Sequence, residues 1–217
     1  PILLQLRYYE NSKDKNVFSW KPVSLWLLLA FIPSSLMLGV TSHVTTDIAS
    51  LPLLWIIPLA AYLTSFIIAF AEPPLWWARH DKKAFSLAII SAAIMLLTIV
   101  FPTLKYEIFL LIVHYTGFFM VATYCHLLLA QSKPDTKYLT GFFIIVSCGG
   151  ALGGVFNALL AYHIFNTATE YGIILCLFVI FICFYMKFAW HKLDSRSLYV
   201  LGIFELIAAV FFICAIY

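Results

Sequence analysis

Charge is scarce in this chain. Asp, Glu, Lys and Arg make up 11% of its 217 residues, against 64% hydrophobic. A soluble domain carries about a quarter charged residues, and a mean hydropathy of +0.99 is more apolar surface than a soluble core can bury. The deficit excludes a soluble fold. Cysteine is present without a framework: Cys125, Cys148, Cys176, Cys183 and Cys214 all lie in apolar runs with no C-x-x-C spacing, and read as buried small hydrophobes. No basic run with interleaved aromatics is present, which argues against a nucleic-acid partner. Catalytic signatures are missing as well. There is no nucleophile elbow, no closely spaced carboxylate pair, no zinc-ligand spacing, and no strand with a glycine-rich loop for a nucleotide. No catalysis, metal or cofactor is expected of this chain. The chain opens on Pro1, with no cationic leader, short apolar core and cleavage site, and is expected to be a piece of something longer.

What is present is a series of long apolar runs. After a polar N-terminal segment at 1–22, they fall at about 25–40, 51–70, 85–101, 107–130, 139–161, 170–190 and 197–217. A helical span takes roughly 17 to 25 residues, so the pattern predicts an all-α, polytopic membrane bundle of seven transmembrane helices. Trp26, Trp55, Trp76, Trp77 and Trp190 fall near run ends, as an interfacial aromatic belt requires. With connections assigned to alternate sides, twelve of the 13 Lys and Arg collect on one side and only Lys105 on the other. The positive-inside rule then places the N-terminus in the cytoplasm.

That topology gathers 41–50, 102–106 and 163–169 at the outer face. Asp47 is the residue to explain, because a carboxylate beside lipid is expensive. It is expected at the outer boundary, as the N-cap of the next helix, as a cation site or as a proton relay, and a cap there still presents its negative charge outward. His43 lies four residues earlier and shares its face only if the turn between them is helical. His163 and Glu170 share the leaflet, and His114 lies about two turns into the fourth span. These five form a candidate outer ligand-binding cluster. A His114–His163 pair could hold a haem iron from both sides, although no second signal supports it. Deeper polar candidates are His126, Asn157 and Glu205. Asn157 needs a hydrogen-bond partner at its depth, and Glu205 either faces the bundle toward a hydroxyl or relays a cation or proton. In the fifth run, Gly149, Gly150, Gly153 and Gly154 give two overlapping G-x-x-x-G patterns that permit close helix contact, with Gly150 and Gly153 expected at the contact.

The wording at 26–41, WLLLAFIPSSLMLGVT, and at 45–55, TTDIASLPLLW, resembles the membrane portion of bacterial spermidine-synthase-like proteins, described as fusions of a transporter-like and a synthase part. Cys125 with His126, Leu139-Thr140 with Phe142, residues 149–157, and Glu170-Tyr171 extend the likeness over nearly the whole chain. The family pattern has a glycine and an acid directly after the Cys-His pair, where this chain has Leu127 and Leu128. The resemblance covers the second half of the membrane domain. It implies a module in a bacterial inner membrane, embedded in lipid among other membrane helices, that binds or passes a small solute such as a polyamine. A structural or accessory subunit of a larger membrane complex is the alternative, and a haem- or quinone-binding electron-transfer subunit a third.

Overall fold

The computed structural model describes residues 20–48, 53–71, 81–100, 106–161 and 169–189. Among them, six α-helices run in order. They are α1 (Trp20–His43), α2 (Ile56–Phe70), α3 (Asp81–Val100), α4 (Glu107–Gln131), α5 (Leu139–Val155) and α6 (Thr169–Ala189). Two of them end in π-helical turns, Val44–Ile48 after α1 and Phe156–Ala161 after α5. The fold is all-α, the form in which a segment satisfies its own backbone groups inside lipid. Among the described residues, three stretches, Val23–Thr46, Glu107–Gln131 and Thr136–Leu159, are long and apolar enough to cross a membrane. Shorter apolar helices occupy Ile56–Phe70, Lys83–Ile99 and Glu170–Ile182. The predicted runs at 25–40 to 170–190 thus coincide with helices, while 197–217 lies outside the described residues.

Helix α1 is longer than its apolar run because Pro22 falls in the first turn, where its missing N–H would have had no intrahelical partner. Pro33 sits inside α1, where a proline also deprives the preceding turn of one hydrogen bond. The bundle is built on the pair α1 and α4. Helix α5 lies along α1, α2 and α3 flank α4, and α6 packs on α1 and α3. Residue pairs fix the directions. Gly149 meets Leu27 and Gly153 meets Ser35, so α5 runs parallel to α1, whereas His43, at the end of α1, meets His114 and Tyr171, early in α4 and α6. Leu29, Ile32 and Leu36 of α1 and Phe118 of α4 are fully buried in the shared core. Gly117 brings α3 onto α4, since a Cβ there would overlap the Met95 side chain.

Two expectations from composition change. Trp26 is a core residue, buried edge-on against Phe142 with ring centroids 5.0 Å apart, and is no part of a lipid-facing belt. Cys125 and Cys176 are buried, but Cys148 is exposed on the outer side of α5.

Candidate functional site

At the end of the bundle where α1 finishes and α4 and α6 begin, four helices contribute to one polar cluster. His114, fully buried, has its Nδ1 2.8 Å from the Tyr171 hydroxyl and its Nε2 3.3 Å from Thr98 Oγ1. The Thr98 hydroxyl donates its own proton to the Met95 carbonyl at 2.8 Å, so it accepts from His114 Nε2–H. Nδ1 therefore carries the lone pair, and the Tyr171 O–H donates to it. The chain runs Tyr171 to His114 to Thr98 to a backbone carbonyl, and there it ends. His43 closes the cluster from α1. Its ring stands edge-on to His114 at 4.7 Å and tilted over Tyr171 at 5.3 Å. Gly39, one turn earlier, makes room for Tyr171, whose ring would lie 3.1 Å from a Cβ at that position. Glu170 lies half-buried in the first turn of α6, where a carboxylate complements the helix dipole.

Of the five expected outer residues, His43, His114 and Glu170 come to one end of the bundle. Asp47 has its backbone in the π-helical turn that extends α1 at that same end, and His163 lies outside the described residues. The turn between His43 and Asp47 is helical, as a shared face requires. The capping expectation for Asp47 is corrected. It belongs to the tail of α1, and the next helix begins only at Ile56, with Trp55 at its N-cap and no side-chain cap. Both ring nitrogens of His114 are engaged within the cluster, Nδ1 with the Tyr171 hydroxyl and Nε2 with Thr98 Oγ1, and His163, the other member of the haem pair weighed above, lies outside the described residues. Among the described residues no three His, Cys, Asp or Glu side chains gather as a metal site.

A second buried histidine lies toward the opposite end. His126 Nδ1 is 2.9 Å from Ser65 Oγ, and that hydroxyl donates to the Tyr62 carbonyl at 2.7 Å. Ser65 therefore accepts from Nδ1–H. His126 Nε2 is buried and has no hydrogen-bond partner among the described residues. The rings of Tyr62 and Phe66 stand edge-on to the imidazole at 5.1 and 5.2 Å.

The seam between α1 and α5 is the third polar feature. A Cβ on Gly149 would lie 2.5 Å from the Leu27 carbonyl oxygen, and one on Gly153 would lie 2.7 Å from that of Phe31. Gly150 and Gly154 are placed differently. A Cβ on Gly150 would have only the Tyr62 hydroxyl at 4.0 Å, and one on Gly154 would meet nothing within 4 Å. The close contact thus uses Gly149 and Gly153, one residue off the expected Gly150. Asn157 finds its partners across the seam, its Nδ2 donating to the Ser35 carbonyl at 3.1 Å and to Ser35 Oγ at 2.5 Å, and also to the Gly153 carbonyl at 3.1 Å. Ser34 Oγ donates to the Gly150 carbonyl at 2.8 Å. Glu205 lies outside the described residues.

Sequence reasoning missed Tyr171, Thr98 and Ser65. The signal available was the demand itself, since a buried histidine must find a donor and an acceptor. Nothing in the spacing names which helix supplies them. Comparison of the chain with protein-family models, curated proteins and solved structures gives no match.

Proposed function

We propose that this chain is a non-catalytic scaffold module of a larger membrane protein or complex, rather than itself the path of a solute. The observation that carries this reading is the closed hydrogen-bond chain Tyr171, His114, Thr98. The cluster nearest a would-be outer mouth has its donors and acceptors turned on one another and ends on a backbone carbonyl. A transport site keeps polar groups available to its cargo, whereas a satisfied buried network rigidifies a fold.

A second reading, recognition of a small organic cation such as a polyamine, is favoured by one observation. His43, Glu170 and the backbone of Asp47 arrive at the same end of the bundle, where two acids would attract a cation. The resemblance to spermidine-synthase-like membrane proteins supports a fused or associated synthase as the larger assembly and, together with the one-sided distribution of Lys and Arg, a bacterial inner membrane as its location; that distribution also supports a cytoplasmic N-terminus.

Titration of spermidine into the chain in lipid nanodiscs, followed by calorimetry, separates the two. The scaffold reading expects no saturable heat. Saturable binding that Glu170→Gln weakens tenfold or more would overturn it in favour of the cation site.

A further inference from the structure

Helix α5 is the least enclosed of the three long helices, with 22% of its apolar window buried against 50% for the α1 window and 44% for the α4 window. Its Gly149 and Gly153 side lies on α1. On another side Thr140, Phe143, Ile144, Ser147 and Cys148 border an open groove of about 480 Å³. The groove follows about 12 Å of helix, at 1.5 Å per residue, and its walls are apolar apart from two hydroxyls and a thiol. Both hydroxyls are unpaired. Thr116 and Thr123 of α4 donate back to carbonyls one turn earlier, whereas Thr140 and Ser147 make no such bond among the described residues.

One turn before Thr140 the same helical face reaches Lys137. The 3₁₀ turn Thr136–Tyr138 runs straight into α5, so residues 137, 140, 144 and 148 recur at the three- and four-residue spacing that shares a face. Lys137 is exposed, its Nζ 5.5 Å from the centre of the exposed Tyr138 ring, and Lys133 is exposed in the same connection. Neither ammonium has an acid partner among the described residues. Asp135 is the only acid from 132 to 161, and none lies along the groove. The face is thus apolar along its length and cationic at one end, the complement of an apolar tail carrying an anionic head. The same charges argue against a second copy. Two copies of a membrane chain share one orientation, so a symmetric contact through this face would set Lys137 against Lys137, and facing like charges cost affinity.

We propose that this face of α5 holds an anionic phospholipid, with its phosphate at Lys137 and Lys133, its ester oxygens accepting from Thr140, and one acyl chain along Phe143, Ile144 and Cys148. Thr140 stands about 5 Å deeper than Lys137 along the helix, and a phospholipid presents its phosphate and then its esters in that order. The fit needs only that α5 stands in the membrane. It does not depend on which side the connection from α4 to α5 faces.

Photo-labelling of the full chain in phosphatidylcholine vesicles tests this. The probe is phosphatidylglycerol with a diazirine in one acyl chain, compared with phosphatidylcholine carrying the same tail, and adducts are mapped by peptide mass spectrometry. Phosphatidylglycerol adducts are expected to concentrate within 140–148, and unlabelled phosphatidylglycerol to displace them. With each lysine near an anionic lipid worth about fivefold in binding, the probe concentration for half-maximal labelling should rise about fivefold in Lys137→Gln and about 25-fold when Lys133→Gln is added. Asp135→Asn should lower it, a gain that misfolding cannot imitate. Ile144→Trp fills the groove, leaves the lysines in place and should abolish the adducts within 140–148. Equal labelling by the two probes, or a double glutamine variant that labels unchanged, would overturn the proposal. So would the same shift from Lys83→Gln in α3, which would reduce the effect to general surface charge, or a disulfide between copies through Cys148 under copper phenanthroline, which would put a second chain on the groove.

Discussion

A single oxygen distinguishes Tyr171 from phenylalanine, and that oxygen supplies the proton that His114 Nδ1 accepts. Tyr171→Phe keeps the ring beside Gly39 and His43 but leaves a buried nitrogen without a donor. In membrane interiors such bonds are worth about 0.6 kcal/mol on average and up to about 1.7, so a loss of about 1 kcal/mol is expected, read from the unfolding midpoint in mixed micelles. A double-mutant cycle with His114→Phe should return a coupling of similar size; independent effects would mean that the pair is only adjacent. His126 allows the converse test. Ser65→Ala removes the acceptor of a buried N–H and should cost about 1–2 kcal/mol. Adding His126→Phe, which also removes the orphaned Nε2, should restore most of that loss, because replacing both partners by apolar groups is close to neutral. A double variant as unstable as Ser65→Ala, or worse, would show that the imidazole does more than fill space. The sequence marks both histidines as residues in need of partners, but the partners lie 16 to 61 positions away, beyond what spacing along one helix can reveal.

Between elements, the contact of α1 with α5 depends on which glycines face it. Both G-x-x-x-G pairs have the same spacing, so the pattern could reveal a packing face but not choose between two registers one residue, or about 100°, apart. The choice comes from α1, where the carbonyls of Leu27 and Phe31 meet Gly149 and Gly153 while Ser34 and Ser35 bond to Gly150 and Asn157. Alanine substitutions should therefore separate sharply. Gly149→Ala and Gly153→Ala push a methyl into backbone and should destabilise by about 1–3 kcal/mol as an overpacked contact does. Gly154→Ala meets open space and should be neutral, or stabilise by up to about 1 kcal/mol through helix propensity. Equal effects at the three positions, measured by the same unfolding assay, would refute this register. Asp47 was misread at this scale for a related reason. A Thr-Thr-Asp sequence before an apolar run has the composition of an N-cap, yet Thr45 Oγ1 donates back to the Thr41 carbonyl at 2.8 Å and Thr41 Oγ1 to that of Met37 at 2.7 Å. These hydroxyls carry α1 onward instead of starting α2.

For the whole molecule, helical class and the order of the runs were legible because lipid permits few backbone solutions and apolar length marks each one. Their mutual placement was not, since polar groups on neighbouring helices pair in ways that hydropathy does not record. The side on which each end lies is proposed from charge alone. Lys83 lies in the first turn of α3, and Lys133 and Lys137 lie in the short connection from α4 to α5, all three exposed, whereas Tyr106, 74% exposed, stands at the opposite end of α4. Helix α4 has 25 residues, about 37 Å at 1.5 Å each, and a hydrocarbon core is about 30 Å thick. Lys137 and Tyr106 therefore lie at opposite ends of α4, and the positive-inside rule makes the lysine-rich end the proposed cytoplasmic one. Cysteine at each position should react with an impermeant maleimide from one side only. In right-side-out vesicles Tyr106→Cys is expected to label while Lys137→Cys is silent until the membrane is broken. Cys148, exposed midway along α5, should stay unreactive in both preparations if that face meets lipid. The reverse labelling would invert the bundle, and labelling of both from one side would mean that α4 does not cross the membrane.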